Sequence, residues 1–234
     1  MEKKVFEIKN DIDQFNIKVT VGDILVYSDN IKTPLLRYRG EFDIKEKWNE
    51  ITVTEKTNSI NYSTNNFNIR GSNIIRGSGN SIINVNGVTI VNGQIISGND
   101  STIISINNEP SELELIIPED KDDLELNINS TSGDINIKKL FLTKLIIEAT
   151  SGDITLNDYN AIYTRIKNIS GDVKASILES IINYKTSLNS TSGDTIQNTS
   201  ETESPILLSD KHHLEIKTIS GDINVLFKGK RYFR

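Results

Sequence analysis

The 234-residue sequence contains no cysteine, one tryptophan, one methionine and two histidines. The absence of cysteine excludes disulfides and thiol catalysis. His212 and His213 adjoin in the sequence, and neighbouring residues of a strand point to opposite faces of a sheet. The pair is therefore a poor candidate for a metal site or for a Ser-His-Asp triad. We predict that the chain has no catalytic residue, no cofactor and no metal ligand.

Long apolar runs and an excess of positive charge are also missing. No stretch approaches the roughly 18 apolar residues of a membrane span, and no apolar segment follows the basic start of the chain. With 32 acidic and 26 basic residues the net charge is −6, whereas nucleic-acid binding needs a basic face. We expect no membrane span and no nucleic-acid partner. The missing signal peptide predicts a cytoplasmic protein, or one at the cell surface if a leader has been removed.

The sequence does contain one motif, Ser-Gly-Asp, five times. Its glycines follow one another at intervals of 19, 19, 22 and 28 residues. Aliphatic and polar residues alternate on both sides of each motif, which is the period of a β-strand. The glycines are Gly133, Gly152, Gly171, Gly193 and Gly221; the residues five before them are Ile128, Ile147, Ile166, Leu188 and Ile216; those two after them are Ile135, Ile154, Val173, Thr195 and Ile223.

Each repeat therefore predicts a strand, a tight corner and a second strand. Glycine tolerates the positive φ of a corner, and Ser and Asp can bond their own backbone there and close the turn. A single repeat cannot bury its aliphatic face, whereas stacked repeats can, with each Ile over the Ile one coil below. We predict an all-β parallel β-helix with coils about 4.8 Å apart.

Composition and pattern divide the chain into three regions. Residues 1–57 form an N-terminal β coil and cap, in which Gly22 and Asp23 of "FNIKVTVGDILV" mark an early coil and Trp48 is a candidate plug of the core. Residues 58–108 form an Asn- and Gly-rich β insertion, with Asn-Gly pairs on both sides of "VTIV" that predict a hairpin flap. Residues 109–234 form the repeat β-helix.

The fourth repeat departs from the pattern. Thr195 and Gln197 occupy the inward columns that hold mainly aliphatic residues in the other repeats. Two explanations are open: the strand slips by one residue and turns Ile196 inward, or the corner bulges. At the end of the chain, the basic and aromatic stretch "FKGKRYFR" predicts a cap over the last coil.

The recurring aspartates allow three interpretations. Each Asp can cap its own turn and stay solvated, which we favour; the column can bind Ca²⁺; or two carboxylates can act as acid and base on a polysaccharide. For the serines we expect a row of hydroxyls that bond neighbouring coils. The candidate residues are structural turn residues: Gly22, Asp23, Ser132, Gly133, Asp134, Ser151, Gly152, Asp153, Ser170, Gly171, Asp172, Ser192, Gly193, Asp194, Ser220, Gly221 and Asp222.

The serial corners, "TSGDI" at 131–135 and 150–154 with variants up to 219–223 and "VGDI" at 21–24, carry a resemblance over roughly residues 10–230. The chain resembles the bacterial β-solenoid family of putative adhesins, a domain of unknown function, which is related to auto-transporter adhesin head domains. The resemblance implies a right-handed parallel β-helix, a single-stranded solenoid.

The long flat faces of a solenoid suit adhesion, scaffolding or docking. We therefore expect a non-enzymatic structural or binding module with an unknown protein or carbohydrate partner. Two alternatives stay open. One is a self-assembling scaffold that resembles the cytoskeletal β-helices of bacteria, and the other is a β-helix enzyme that acts on polysaccharides.

Overall fold

Strands make up most of the described chain. The structure is a computed structural model that describes residues 3–9, 11–56, 82–85, 88–91, 94–97, 110–200 and 208–229. The strands are β1 (Lys4–Glu7), β2 (Gln14–Asp29), β3 (Leu35–Arg39), β4 (Phe42–Lys47), β5 (Glu50–Glu55), β6 (Ile82–Val85), β7 (Val88–Val91), β8 (Gln94–Ser97), β9 (Ser111–Pro118), β10 (Glu125–Ser132), β11 (Ile135–Lys138), β12 (Phe141–Ser151), β13 (Ile154–Ser170), β14 (Val173–Ile177), β15 (Tyr184–Ser192), β16 (Thr195–Thr199), β17 (His212–Ser220) and β18 (Ile223–Phe227), with one 3-10 turn at Ile181–Asn183. No helix in these ranges is long and apolar enough to cross a membrane.

The chain winds into coils, each with one strand before a corner and one after it. The strands before the corners form a first sheet of parallel pairs: β5, the start of β2, β10, β12, the end of β13, β17 and β15. The strands after the corners form a second sheet: β9, the end of β2, β11, the start of β13, β14, β18 and β16. This arrangement confirms the predicted parallel β-solenoid.

Aliphatic columns run through the core between the two sheets. In the first sheet Ile17, Ile128, Ile147 and Ile166 stand directly opposite one another and are fully buried. Ile24 pairs with Ile135 in the second sheet in the same way, so the early coil predicted around Gly22 is confirmed. Burial of one such side chain contributes about 1.5–3 kcal/mol, which makes these columns the main stabilising feature of the fold.

The last two coils are stacked in the reverse of their chain order. β17 pairs with β13 on one side and β15 on the other, and β18 lies between β14 and β16 in the same way. The coil that is last in the sequence therefore lies between the third and fourth repeats. Its Ile216, Ile223 and Phe227 are fully buried. The fourth repeat, which this coil displaces, carries polar residues in its inward columns. Burial of these polar residues between two coils would be unfavourable, so the repeat takes the end position of the stack.

The fourth repeat neither slips nor bulges, so both explanations offered for it are wrong. Thr195 pairs in register with Ile223, and Gln197 with Val225. Both polar side chains are exposed, as is Ile196. The repeat tolerates Thr and Gln in its inward columns because it is the outermost coil of the stack.

The N-terminal strands cover the other end of the stack. β5 and β9 form a further parallel coil against β2. β3 pairs antiparallel with β9, β4 antiparallel with β5, and β1 antiparallel with β3. Trp48 lies in the turn between β4 and β5 and is 85% exposed, so the prediction that it plugs the core is wrong.

The chain forms two compact units, one of Met1–Lys56 with Ser111–Arg234 and one of Thr57–Pro110. The second unit contains an antiparallel sheet, in which β7 pairs with β6 and with β8. The strand predicted for "VTIV" is thus confirmed as β7. The Asn-Gly turns predicted beside it, and residues 230–234 of the predicted C-terminal cap, lie outside the described residues.

Candidate functional site

The corner glycines have no room for a side chain. Gly133 has a φ of 123° and Gly152 a φ of 112°, values that side chains of L residues rarely allow. A Cβ on Gly133 would lie 2.0 Å from the carbonyl oxygen of Gly22, and one on Gly152 would lie 2.2 Å from that of Gly133. Conformation and space therefore both require glycine where the repeat places it.

The aspartates after these glycines bond the next coil and not their own turn. The backbone N–H of Asp134 donates to Asp23 Oδ1 at 2.9 Å, and that of Asp153 donates to Asp134 Oδ1 at the same distance. The ladder continues through Asp172, Asp222 and Asp194 at 2.8–3.0 Å. The favoured interpretation, in which each Asp caps its own turn, is wrong in this respect, because the acceptor satisfies the neighbouring coil's N–H.

Backbone bonds run through the corners in the opposite direction. Ile24 N–H donates to the carbonyl oxygen of Asp134, and Ile135 N–H to that of Asp153, both at 2.9 Å. Adjacent coils of the ladder are thus joined at the corners by at least one backbone bond and by one charge-assisted bond. Charge-assisted hydrogen bonds are stronger than neutral ones. Among the described residues, no three His, Asp or Glu side chains gather as they would around a metal ion.

A small polar column bonds the corners from the inside, a role that the sequence reasoning missed. Asn168 Nδ2 donates to the carbonyl oxygens of Gly152 and Gly171, each at 3.1 Å. Ser190 Oγ donates to that of Gly221 at 2.8 Å. The available signal was a polar residue three positions before the glycine, on the face that points into the core.

The corner serines stand in register from coil to coil. Ser132 pairs with Ser151, and Ser151 with Ser170, while Val21 takes the position in the early coil. Ser151 Oγ donates to the carbonyl oxygen of Thr131 in the neighbouring coil at 3.3 Å. This bond is of the kind predicted for the hydroxyl row.

Ion pairs join neighbouring coils on the outer face of the first sheet. Lys144 Nζ lies 3.3 Å from Glu125 Oε2, and Lys167 Nζ lies 3.7 Å from Glu148 Oε1. Because they are partly exposed, each such pair contributes at most about 1 kcal/mol. Their positions nevertheless favour the observed neighbours over other pairings of the same strands.

A buried tyrosine and a half-buried histidine lie where β15 and β17 begin. Tyr184 Oη donates to Asn160 Oδ1 at 2.7 Å, and burial raises the pKa of this phenol well above its ordinary value. The His212 ring packs edge-on against Tyr184, with centroids 5.1 Å apart. Burial lowers the pKa of His212, although Glu179 opposes this effect, and His212 Nδ1 is buried without a hydrogen-bond partner.

Trp48 is held out into solvent on an anchored turn. Its φ is 57°, an outlier for a bulky residue. The next residue fixes the turn to the start of β2: Asp13 N–H donates to the carbonyl oxygen of Asn49 at 2.8 Å, and Asn49 Nδ2 donates to Asp13 Oδ2 at 3.1 Å. The result is a large aromatic surface on a rigid support.

These corners and ladders define a β-solenoid in which the repeated polar residues hold the coils together. The sequence profile of the family described as Toastrack DUF4097, a domain of unknown function, matches residues 39–231. The chain belongs to this family. A search of curated proteins finds no match to this chain.

Solved structures of three bacterial proteins are similar over nearly the whole chain. A putative cell adhesion protein from Clostridium sporogenes is 12% identical with a TM-score of 0.50, and the match covers 97% of this chain and 99% of the other. A putative adhesin from Bacteroides fragilis is 9% identical with a TM-score of 0.38, covering 97% and 96%. One from Parabacteroides merdae is 11% identical with a TM-score of 0.26, covering 97% and 95%. At these identities the first likeness supports the fold alone.

Proposed function

We propose that the chain is a non-enzymatic structural and binding module, an adhesin-like solenoid that engages a protein or a carbohydrate partner through its outer surface. Membership of the Toastrack family and the fold shared with the protein from Clostridium sporogenes that is described as a putative cell adhesion protein support this proposal. The same proposal includes a relationship to auto-transporter adhesin head domains and a location at the cell surface.

The observation that carries the proposal is Trp48. A tryptophan that is 85% exposed gains little from the fold, and its left-handed backbone has a cost of about 1–3 kcal/mol. A two-residue hairpin turn such as this one calls for a positive φ, which glycine adopts at less cost, so the turn does not explain why a tryptophan is placed here. Trp is also among the residues most enriched at the energetic centres of interfaces.

The repeated serines and aspartates support a non-enzymatic role. Every Asp carboxylate of the ladder except that of Asp194, which is on the outermost coil, accepts a backbone N–H from the next coil, and each stands one coil from its nearest equivalent. A catalytic pair needs two carboxylates in different environments that face one substrate. The ladder instead gives the five accepting carboxylates one repeated structural task.

The test uses the purified chain against immobilised polysaccharides and bacterial envelope proteins, with affinity read by biolayer interferometry. We expect the Trp48→Gly variant to lose at least tenfold in affinity for the ligand that the wild type binds. Glycine suits the positive φ at this position, so the variant keeps the fold. Ile162→Ser is the matched control, since Ile162 is an exposed apolar residue elsewhere on the surface.

The same experiment separates binding from hydrolysis. New reducing ends after incubation with any polysaccharide of the panel would replace the proposal with the enzyme alternative. Equal affinity of wild type and Trp48→Gly for every ligand bound, or no binding to either panel, would also refute it. The chain has one tryptophan, so quenching or a blue shift of its fluorescence on binding reports this turn directly.

A further inference from the structure

The two ends of the solenoid are built differently. At one end the antiparallel strands β3 and β4 cover the first coil, and β4 carries Asp43, Lys45, Glu46 and Lys47. At the other end, among the strands that the structure describes, β15 pairs only with β17 and β16 only with β18. Within the described residues, the outermost coil therefore presents an open strand edge at Thr195 and Gln197.

The backbone groups that face this edge can be assigned from the hydrogen bonds of β16. Asp194 and Ser200 flank β16. The carbonyl oxygen of Asp194 accepts from Ile223 N–H, and Ser200 N–H donates to the carbonyl oxygen of Phe227, both at 2.8 Å. Successive residues of a strand direct these groups to opposite sides. The N–H and C=O groups of Thr195 and Gln197 consequently point away from β18, and all residues of β16 are exposed.

On β16 the open edge lacks the protection that edge strands usually have. Soluble proteins place charged residues, especially lysine, or proline on such edges because the unpaired backbone otherwise recruits another strand. β15 carries one exposed lysine, Lys185, and β16, Thr195–Thr199, contains no charged residue and no proline. The exposed Ile196 adds an apolar side chain to the same strand.

We propose that this terminal coil, β15 and β16, is an interface at which the strand edge of one chain pairs with the same edge of a second copy. Charge favours a second copy of the chain as the partner at this edge. With a net charge of −6 the chain repels its copies over most of its surface, whereas this coil is nearly neutral and allows two copies to approach there. The strand β4 at the other end also has only one described partner, β5, but its charged residues disfavour the same contact. Association therefore closes at a two-fold dimer and does not continue into a filament.

The experiment measures the mass of the full chain by analytical ultracentrifugation from about 1 µM to about 1 mM. We expect a rise from the 26.2 kDa of one chain towards twice that value. Hydrogen exchange gives an independent readout, in which the amides of Thr195 and Gln197 slow at high concentration. A monomer throughout the range, or masses that grow beyond the dimer, would overturn the proposal.

Proline substitutions test the assigned edge. Gln197→Pro removes an N–H that points outward, as an edge strand tolerates, so we expect an unchanged Tm and a dimer at least tenfold weaker. Ile196→Pro removes an N–H that points to β18, and this matched variant lowers the Tm. Gln197→Lys, which adds a charge without a backbone change, also weakens the dimer tenfold. A dimer of wild-type strength in Gln197→Pro and Gln197→Lys would refute the interface.

Discussion

Arg165 on β13 and Glu215 on β17 lie directly opposite each other, with Arg165 Nε 3.6 Å from Glu215 Oε2. The whole of β15 and β16 lies between them in the sequence. If the coils followed chain order, the neighbour of Arg165 would be Ser187, which pairs with Glu215 in the observed stack. This ion pair therefore forms only because the last two coils are interchanged.

A double-mutant cycle tests this pair. Arg165→Glu places two carboxylates opposite each other and should lower the free energy of unfolding by about 0.5–1 kcal/mol. The exchange Arg165→Glu with Glu215→Arg should restore most of it. Urea denaturation of the wild type, both single variants and the double variant supplies the coupling energy. A coupling of zero would mean that the two side chains are not neighbours.

The second prediction concerns the space at a corner. Gly152→Ala puts a Cβ 2.2 Å from the carbonyl oxygen of Gly133 at a φ of 112°, so we expect a loss of at least about 2 kcal/mol in the free energy of unfolding. Ser170→Ala, at a corner position that can take a side chain, should cost less than about 1 kcal/mol. Urea denaturation compares the two, and equal losses would contradict the close approach of the coils.

A third prediction separates the hydrogen bond of the aspartate ladder from its charge. Asp153 Oδ1 accepts the N–H of Asp172 at 2.9 Å. Asp153→Asn keeps an oxygen acceptor and removes one charge from the column, so it should be about as stable as the wild type at low salt. Asp153→Ala removes the acceptor and should cost about 1 kcal/mol. Thermal melts at low and high NaCl compare the Tm values of the two variants. Equal losses of Tm in Asp153→Asn and Asp153→Ala would contradict the ladder.

The fourth prediction is a pH dependence that comes from His212. Its pKa in the folded chain is lowered from the ordinary 6.5, because burial disfavours the charged ring. The unfolded chain then binds more protons below pH 6.5, so the free energy of unfolding falls as the pH drops from about 7.5 to about 5.5. Carboxylate titrations contribute mainly at lower pH.

Replacement of each histidine checks the source of that dependence. His212→Gln should flatten the stability profile in this window, and His213→Gln, the same substitution at the adjacent exposed position, is the matched control. Urea denaturation at closely spaced pH values gives both profiles. A His212→Gln profile as steep as that of the wild type would assign the effect to other groups.

The parts of the fold that depend on local pattern could be predicted from the sequence. Alternation around each glycine predicts the strands, and Ile128 or Ile154 falls in its buried column because the register is set by the corner itself. The corner at Gly22 could be found in the same way, since its flanking residues keep the spacing although Val21 replaces the serine.

The order of the coils and the direction of the side-chain bonds could not be predicted in this way. Both depend on which coil is the neighbour, and the repeats are too alike for the sequence to state it. Thr195 and Gln197 did hold a signal, because polar residues in the inward columns suit an end coil. For Asp134 no signal existed, since a bond to its own turn and one to the next coil require the same residue at the same place. The exposure of Trp48 could not be predicted, because terminal units of a solenoid must close the core and a large aromatic residue there suggests a plug.

The central claim is that aliphatic columns hold the stacked coils together and that the last two coils are interchanged relative to their order in the sequence. Cross-linking tests this claim most directly. The chain contains no cysteine, so only introduced thiols react with a short thiol-specific cross-linker that spans one strand spacing of about 4.8 Å. Lys167 stands opposite Lys217, and Asn189 stands one coil further away. We predict that Lys167→Cys with Lys217→Cys cross-links in most molecules and that Lys167→Cys with Asn189→Cys does not. The reverse result would contradict the stacking order described here.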